Sequence, residues 1–346
     1  MKIIDLFCGA GGFSLGFEMA GFETVLAIDK WDQAIETFNH NRDNKAAVSM
    51  DIHDFTDEMI AALPDIGDIT GIIGGPPCQG FSMVGTRNAK DERNSLYRQY
   101  VRFVETVRPK FFILENVKGL LTLKKGFFKR DIIKRFGSIG YNVDFRILRA
   151  SDYGVPQNRE RVFFVGLRKD IFGKRTFEFP EPDSKNVITT KMAIGDMPAL
   201  DAGEDPTRYA SEPLNDFQRL MRAGCDTITN NEVTAHSQQT KDVIAHVPDG
   251  MSIKDVSEEL YKVRNYNAAF RRMNSALPSK TIDCGHRNYF HYSENRIPTA
   301  RESARLQSFP DSYFFTGNKG AQYSQIGNAV PPLLARALAE QIMKIL

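Results

Sequence analysis

The sequence contains no apolar run approaching the roughly eighteen residues that a membrane helix needs, so no membrane partner is expected. Its start, MKIIDLF, lacks the long apolar core and cleavage site of a secretory leader, and none is expected. Cysteine is scarce. Cys8, Cys78, Cys225 and Cys284 stand far apart with no C-x-x-C pair, which argues against a zinc site or a disulfide framework and for a reducing cytoplasm. No metal is expected. Net charge is only +2, too small to suggest a partner until it is resolved along the chain. There is no internal repeat and no low-complexity segment. What remains, 346 residues of which 42% are hydrophobic and 25% charged, fits a globular enzyme with two domains or one domain carrying a large insertion.

Against this plain background one segment stands out, GGPPCQGFS from Gly74 to Ser82. Pro76 and Pro77 fix the backbone at two successive positions and remove two amide donors. Gly80 permits a sharp turn or the close approach of a ligand. The preceding run, DITGII (Asp68 to Ile73), has the character of a buried strand. A thiol in a stiff loop just past a strand end sits where open α/β sheets place their chemistry. The alternative is a buried cysteine that merely packs. The Pro and Gly neighbours favour a nucleophile.

The N-terminus gives a second signal. MKIIDLF reads as a strand, CGAGG as a turn and FSLGFEMAG as the start of a helix. The spacing F-x-G-x-G-G differs from the dinucleotide fingerprint G-x-G-x-x-G and suits a ligand without a pyrophosphate. VLAID (Val25 to Asp29) is a second strand ending in a carboxylate, placed where an acid accepts from ribose hydroxyls. Further strands are expected in AAVSMDI, ending at Asp51, in DITGII, and in KFFILENV, which carries Glu115 and Asn116. Two more fit NVDFRILRA (Asn142 to Ala150) and RVFFVGL (Arg161 to Leu167). Helical stretches at 32–41, 96–108 and 127–137 alternate with them. The expected fold class is therefore α/β, a doubly wound Rossmann-like mixed sheet. Composition shifts near Pro180, and irregular alternation to about Pro298 suggests a second, smaller domain.

Charge is distributed unevenly. Residues 181–261 hold 7 Lys/Arg against 15 Asp/Glu, whereas 262–296 hold 7 against 2, with Tyr266, Phe270, Tyr289, Phe290 and Tyr292 interleaved. A second basic run covers Lys118 to Arg135. Two positive stretches on a nearly neutral chain suggest a phosphate-binding face, although a solvated surface would explain either alone.

Taken together, the motifs resemble the cytosine-5 DNA methyltransferases of bacterial restriction-modification systems over nearly the whole length. DLFCGAGG, PPCQGFS, DERNSLY (91–97), ENV (115–117), PQNRERVFFVG (156–166), RESARLQSFPD (301–311) and QIGNAVPPLLA (325–335) stand in the family's order. The resemblance implies a class I methyltransferase fold, with residues 1–178 as the catalytic and cofactor domain completed by 322–346. It implies a target-recognition domain at 179–300 and a hinge segment at 301–321. S-adenosylmethionine would be the methyl donor and S-adenosylhomocysteine the product.

The resemblance also assigns roles. Cys78 would be the thiolate that adds to carbon-6 of cytosine, and Glu115 would assist at nitrogen-3, as an acid kept protonated in a dry pocket beside Phe111 to Leu114. Arg159 and Arg161 match arginines that hold the base's carbonyl oxygen, a nearby phosphate or the acid itself. Phe7, Gly9, Ala10, Gly11, Gly12, Asp29, Lys30, Asp51, Ile52, Pro76, Leu96, Asn328 and Val330 match cofactor positions. Asp29 stands where the family usually has Glu. The aromatic that often follows the acid is displaced, with Lys30 next and Trp31 one later.

Duplex DNA hides carbon-6 in the stack, so the target base must be flipped out. The polar loop 82–93 is suited to close over it, with Gly85 as a hinge and Ser82, Arg87 and Arg93 toward DNA. Arg271, Arg272, Thr281 and Arg287 are the expected recognition contacts, because arginine matches guanine in the major groove. The expected partner is double-stranded DNA. The protein is expected to be a cytoplasmic monomer, with a cognate restriction endonuclease encoded alongside but not bound. Two other readings are transfer-RNA methylation by a relative with the same sheet, and a catalytically inactive DNA-binding regulator. Transfer-RNA relatives carry a C-F-T signature and a shortened recognition region, neither of which this chain has. An inactive homologue would have lost Cys78 or Glu115.

Overall fold

Continuous apolar runs make the strands that both faces of a parallel sheet bury, and IIDL, ITGIIG and FFIL are such runs. They form β1 (Lys2–Leu6), β4 (Ile69–Gly74) and β5 (Phe111–Val117) at the centre of a seven-stranded sheet. With β2 (Glu23–Asp29), β3 (Ala47–Ser49), β6 (Tyr141–Arg149) and β8 (Glu160–Arg168) the order is β3-β2-β1-β4-β5-β8-β6. β8 runs antiparallel to β5 and β6, and the other pairs are parallel. All seven strands expected from the sequence are present. The third is shorter than expected and stops at Ser49, before Asp51.

The computed structural model describes residues 1–77, 96–183, 186–200, 204, 206–256, 270–285 and 289–346. Cys78, Ser82, Arg87, Arg93 and Arg287 lie outside the described residues, as do residues 262–269 of the basic and aromatic stretch 262–296.

The chain divides into two compact units. The first comprises 1–149, 160–181 and 335–346. Its helices are α1 (Gly12–Met19), α2 (Asp32–His40), α3 (Asp57–Ala61), α4 (Leu96–Val107), α5 (Phe127–Ser138) and α6 (Lys169–Phe172). In α4, Tyr97, Tyr100, Val101, Val104 and Val107 recur at helical spacing and are buried. The Tyr100 hydroxyl lies 2.9 Å from the carbonyl oxygens of both Ile72 and Ile113, joining the helix to β4 and β5. On β5, Phe112 stacks on Phe136 of α5, with ring centroids 3.9 Å apart. The order places β1 beside β4, the point where connections diverge and a crevice opens at the strands' carboxyl ends.

The second unit comprises 150–159 and 182–334. Residues 150–159 and 322–334, expected with the catalytic domain, fall in this unit, and so does the 301–321 segment expected as a hinge. β7 (Gln157–Asn158) pairs with β10 (Ser279–Lys280), and β9 (Arg271–Arg272) pairs with β11 (Tyr289–Phe290). Short helices α7 (Thr190–Ile194), α8 (Asp216–Met221), α9 (Gln238–Ala245), α10 (Ala300–Leu306) and α11 (Lys319–Asn328) fill the rest. α12 (Pro332–Met343) contributes residues from 335 on to the first unit.

Buried ion pairs organise the second unit. Arg305, fully buried on α10, donates to Asp196 and Asp311 at 2.5 Å each. Glu302 receives both terminal nitrogens of Arg296 at 2.7 and 2.8 Å. Burial alone pushes the Glu302 carboxyl up, but Arg296 and His291 outweigh it and hold the group at about 2. These contacts explain why 301–311 sits inside the unit.

Candidate active site

The glycine loop begins with backbone strain. Phe7 has φ 62°, a left-handed conformation uncommon for a side chain of this size. It persists because the amides of Phe7 and Cys8 both donate to the Ile28 carbonyl, at 2.8 and 3.1 Å, hooking the end of β1 onto β2. Gly9 and Gly11 follow with φ 51° and 81°. A Cβ at Gly11 would stand 2.5 Å from the Phe38 ring, whereas one at Gly9 would meet nothing within 4 Å. Cys8 is buried, and burial pushes its thiol well above the ordinary value, which disfavours the thiolate form.

Asp29 ends β2 beside this loop. One carboxylate oxygen accepts from the Gly9 amide at 2.9 Å and the other from the Trp31 amide at 3.0 Å. Burial raises the carboxyl above its ordinary value, opposed by those amides. A carboxylate offers about four acceptor sites, so capacity remains for a diol. Open room beside Gly9, next to a partly buried acceptor, fits the nucleoside end of a methyl donor. Lys30 is exposed, Ala10, Gly11 and Gly12 are buried, and Trp31 precedes α2 with its indole N–H donating to Gln33 at 3.3 Å. Asp51 is engaged by His53, whose amide lies 3.0 Å and whose Nδ1 lies 2.7 Å from the same oxygen. These contacts lower the Asp51 carboxyl. Ile52 is buried and Leu96 half-buried.

Two strands away, β4 delivers the segment that leads to Cys78. Gly74 lies so close to β1 that a Cβ would stand 2.2 Å from the Leu6 carbonyl oxygen. Pro76 is buried, and its carbonyl accepts from the Asn116 side-chain amide at 2.9 Å. A Cβ at Gly75 would meet the Glu115 carboxylate at 3.0 Å. Glu115, on β5, is thus seated against the backbone three residues before Cys78. Its other carboxylate oxygen lies 3.0 Å from Nε of Arg161 on β8, with the two side chains 13% and 16% exposed. The acid therefore sits between the Gly75 backbone and the Arg161 guanidinium, with both charged side chains largely buried.

These two features, an open glycine loop beside the Asp29 carboxylate at β1–β2 and the Glu115 carboxylate beside Gly75 at β4–β5, occupy adjacent strand ends. The sequence profile of the C-5 cytosine-specific DNA methylases matches residues 1–344. The chain belongs to that family. It is a cytosine-5 DNA methyltransferase of the restriction-modification type. It is 42% identical to the type II methyltransferase M.DdeI of Desulfomicrobium norvegicum, over 99% of this chain and 88% of that protein. It is 39% identical to M1.HphI of Haemophilus parahaemolyticus, over 100% and 87%. Among solved structures, a prophage-encoded protein of E. coli described as a DNA modification methyltransferase superposes with TM-score 0.84 at 28% identity, covering 99% of each chain. The S. pombe Dnmt2 methyltransferase, with TM-score 0.62 and 19% identity over 100% and 99%, shares the fold. Enzymes of this family take their methyl from a donor of the S-adenosylmethionine type, and their substrate is double-stranded DNA. Among the described residues no helix is long and apolar enough to cross a membrane.

Other residues singled out in the methyltransferase sequence lie in the second unit. Arg159 is 2% exposed, and its Nη1 donates to the Ile282 carbonyl at 3.4 Å. Thr281 donates from its hydroxyl to the Asn158 carbonyl at 3.3 Å. Val330 is buried, and Asn328 is exposed with its side-chain oxygen 3.0 Å from the Cys284 sulfur. Arg271 is partly committed, donating to the Gly250 carbonyl at 2.9 Å while its Nη2 lies 3.8 Å from Asp255.

Arg272 requires a correction. It was expected to contact DNA, yet it is 5% exposed and every nitrogen of its guanidinium is bonded inside the unit. It donates to the carbonyls of Val247, His291, Glu294 and Ile244 and to the Asn295 side chain, at 2.6 to 3.0 Å. The reason is strand alternation: adjacent residues on β9 point to opposite faces, so only one of two neighbouring arginines can face outward.

Asn116 was missed as a distinct residue. The signal was available, since a polar amide at the end of the apolar run FFIL must find partners if the strand is buried.

Proposed function

We propose that the enzyme methylates carbon-5 of a cytosine flipped out of a specific duplex site, through covalent addition of Cys78 to carbon-6. Carbon-5 is a poor nucleophile in the aromatic ring. Addition of the thiolate at carbon-6 makes an enamine, with charge drawn toward nitrogen-3, where Glu115 hydrogen-bonds or protonates the ring. Carbon-5 then becomes methylated, and loss of its proton with departure of Cys78 restores the aromatic base. S-adenosylmethionine, when bound, supplies an electrophilic methyl carbon.

The observation that carries this reading is the seat of Glu115, against Gly75 on one side and Arg161 on the other. Arg161 orients the acid, and Asn116 holds the Pro76 carbonyl, two residues before Cys78. Asp29 would accept from the donor's ribose and Asp51–Ile52 would meet its adenine. Phe7, the loop 9–12, Lys30, Pro76, Leu96, Asn328 and Val330 are the other proposed donor contacts. Arg159 is proposed to hold the base's carbonyl oxygen or a neighbouring phosphate. Ser82, Arg87, Arg93, Arg271, Thr281 and Arg287 are proposed DNA contacts. Protection of host DNA against an endonuclease encoded alongside is in keeping with the relatives' names as type II methyltransferases, and the enzyme is proposed to act as a cytoplasmic monomer. The test is incubation with genomic DNA and donor, followed by bisulfite sequencing. Protected cytosines confined to one short motif are expected, and their absence, or methylation of transfer RNA instead, contradicts the reading.

A further inference from the structure

Arg42 lies just beyond α2, outside every motif described above, yet it is engaged on all sides. Its side chain is 8% exposed. Nε lies 2.9 and 3.0 Å from the two carboxylate oxygens of Glu18 on α1. Nη1 donates to the Phe38 carbonyl at 3.1 Å, and the guanidinium carbon lies 3.7 Å from the centre of the Phe38 ring. Nη2 donates to the Gly11 carbonyl at 3.2 Å, across 31 residues of sequence.

Gly11 is the residue on which the glycine loop turns into α1. It has φ 81° and ψ 23°, and no side chain caps the helix there. Its carbonyl also accepts the first helical amide, that of Leu15, at 2.9 Å. The Arg42 guanidinium therefore takes the second lone pair of the carbonyl that orients the loop. The Phe38 ring over which it stacks occupies the space where a Cβ at Gly11 would stand. The contacts with Glu18, Phe38 and Gly11 fix α1, α2 and the loop relative to one another. A charge-assisted bond to a carbonyl with a desolvated, doubly held guanidinium is among the stronger contacts a loop can have.

We infer that Arg42 is a positioning residue for the methyl donor: it holds the Gly9–Gly12 turn in the shape that receives the nucleoside, without touching donor or base. This rests on the proposal that the donor occupies the glycine loop. It assigns Arg42 to donor affinity, and neither to DNA affinity nor to the chemical step.

The test uses the full-length enzyme with a tritiated donor and a cognate duplex, comparing Arg42→Gln, Arg42→Lys and Asp29→Ala. For Arg42→Gln, the KM for S-adenosylmethionine and the Kd for S-adenosylhomocysteine should rise about tenfold or more, the scale of one lost charge-assisted bond. The KM for DNA and kcat at saturating donor should stay within about twofold. Arg42→Lys, which keeps the charge but not the fork, should fall between Arg42→Gln and the parent. An unchanged donor KM, or a parallel loss in DNA KM and kcat, overturns the inference. If Arg42→Gln does not fold, the same measurements on Arg42→Lys support or overturn the inference by the same results. Asp29→Ala separates the two levels. If it weakens the donor and the Arg42 variants do not, only the positioning role fails. If it also leaves donor affinity intact, the placement of the donor fails.

Discussion

Glu115 and Arg161 meet diagonally across two antiparallel strands, with carboxylate oxygen and Nε 3.0 Å apart. The register pairs Glu115 with Phe163 and Val117 with Arg161. Residues two apart share a face of the sheet, so the acid and the guanidinium project to the same side at the strand ends, within reach of long side chains. The carboxylate is thereby fixed in direction by the neighbouring guanidinium.

Glu115→Gln keeps the shape but cannot deliver a proton to nitrogen-3. Its single-turnover methylation rate should fall about a hundredfold or more, the scale for removal of a general acid, while the Kd for cognate DNA changes little. An unchanged rate would leave Glu115 as a structural partner of Arg161.

Arg272→Ala should behave as a core substitution. Five acceptors would lose their donor at once, and the expected cost is about 3 kcal/mol or more in unfolding free energy. Arg271→Ala should cost far less and should change DNA binding or discrimination among sites. Chemical denaturation beside binding assays on cognate and single-base variant duplexes separates the two. A stable Arg272→Ala with altered specificity would reverse the assignment.

Asp5 carries a pH signature. It is fully buried on β1. One of its oxygens accepts from Ser14 at 2.6 Å, while the other accepts no hydrogen bond. Burial raises its carboxyl to about 7 from an ordinary 3.8, against the pull of Ser14 and Arg42. Glu18, Cys8 and Tyr100 are the other titratable groups that sense it or are sensed by it. Between those two values the unfolded chain binds fewer protons than the folded one, so this group lowers stability as pH rises, and the effect levels off above about 7. Asp5→Asn should flatten that slope, gaining a few kcal/mol over the parent at about pH 8 and little at about pH 4. Urea unfolding across the range measures it, and parallel curves for parent and variant would contradict it.

The sheet was legible because buried parallel strands are written as unbroken apolar runs, and ITGIIG or FFIL admits few other readings. The third strand was overextended because AAVSMDI continues with strand-like composition past Ser49, where pairing with β2 ends. In the second unit, charge counting could not separate Arg271 from Arg272. A guanidinium that bonds four carbonyls in the core has the same letter as one facing solvent. Burial of Arg296, Arg301 and Arg305 was hidden for the same reason. Pairings such as Glu115 with Arg161 and Gly11 with Arg42 depend on register and on contacts made across many residues of chain, which spacing along the sequence does not encode.

The central claim is covalent attack by Cys78, and trapping with a cognate duplex that carries 5-fluorocytosine at the target position tests it most directly. Fluorine blocks the final elimination, so in the presence of S-adenosylmethionine the parent enzyme should form a protein–DNA complex that survives denaturation. Variants at Cys8, Cys225 or Cys284 should form it as well, and Cys78→Ala should not, while still binding the donor. A complex formed by Cys78→Ala, or none formed by a parent enzyme that methylates the ordinary duplex, would contradict the account.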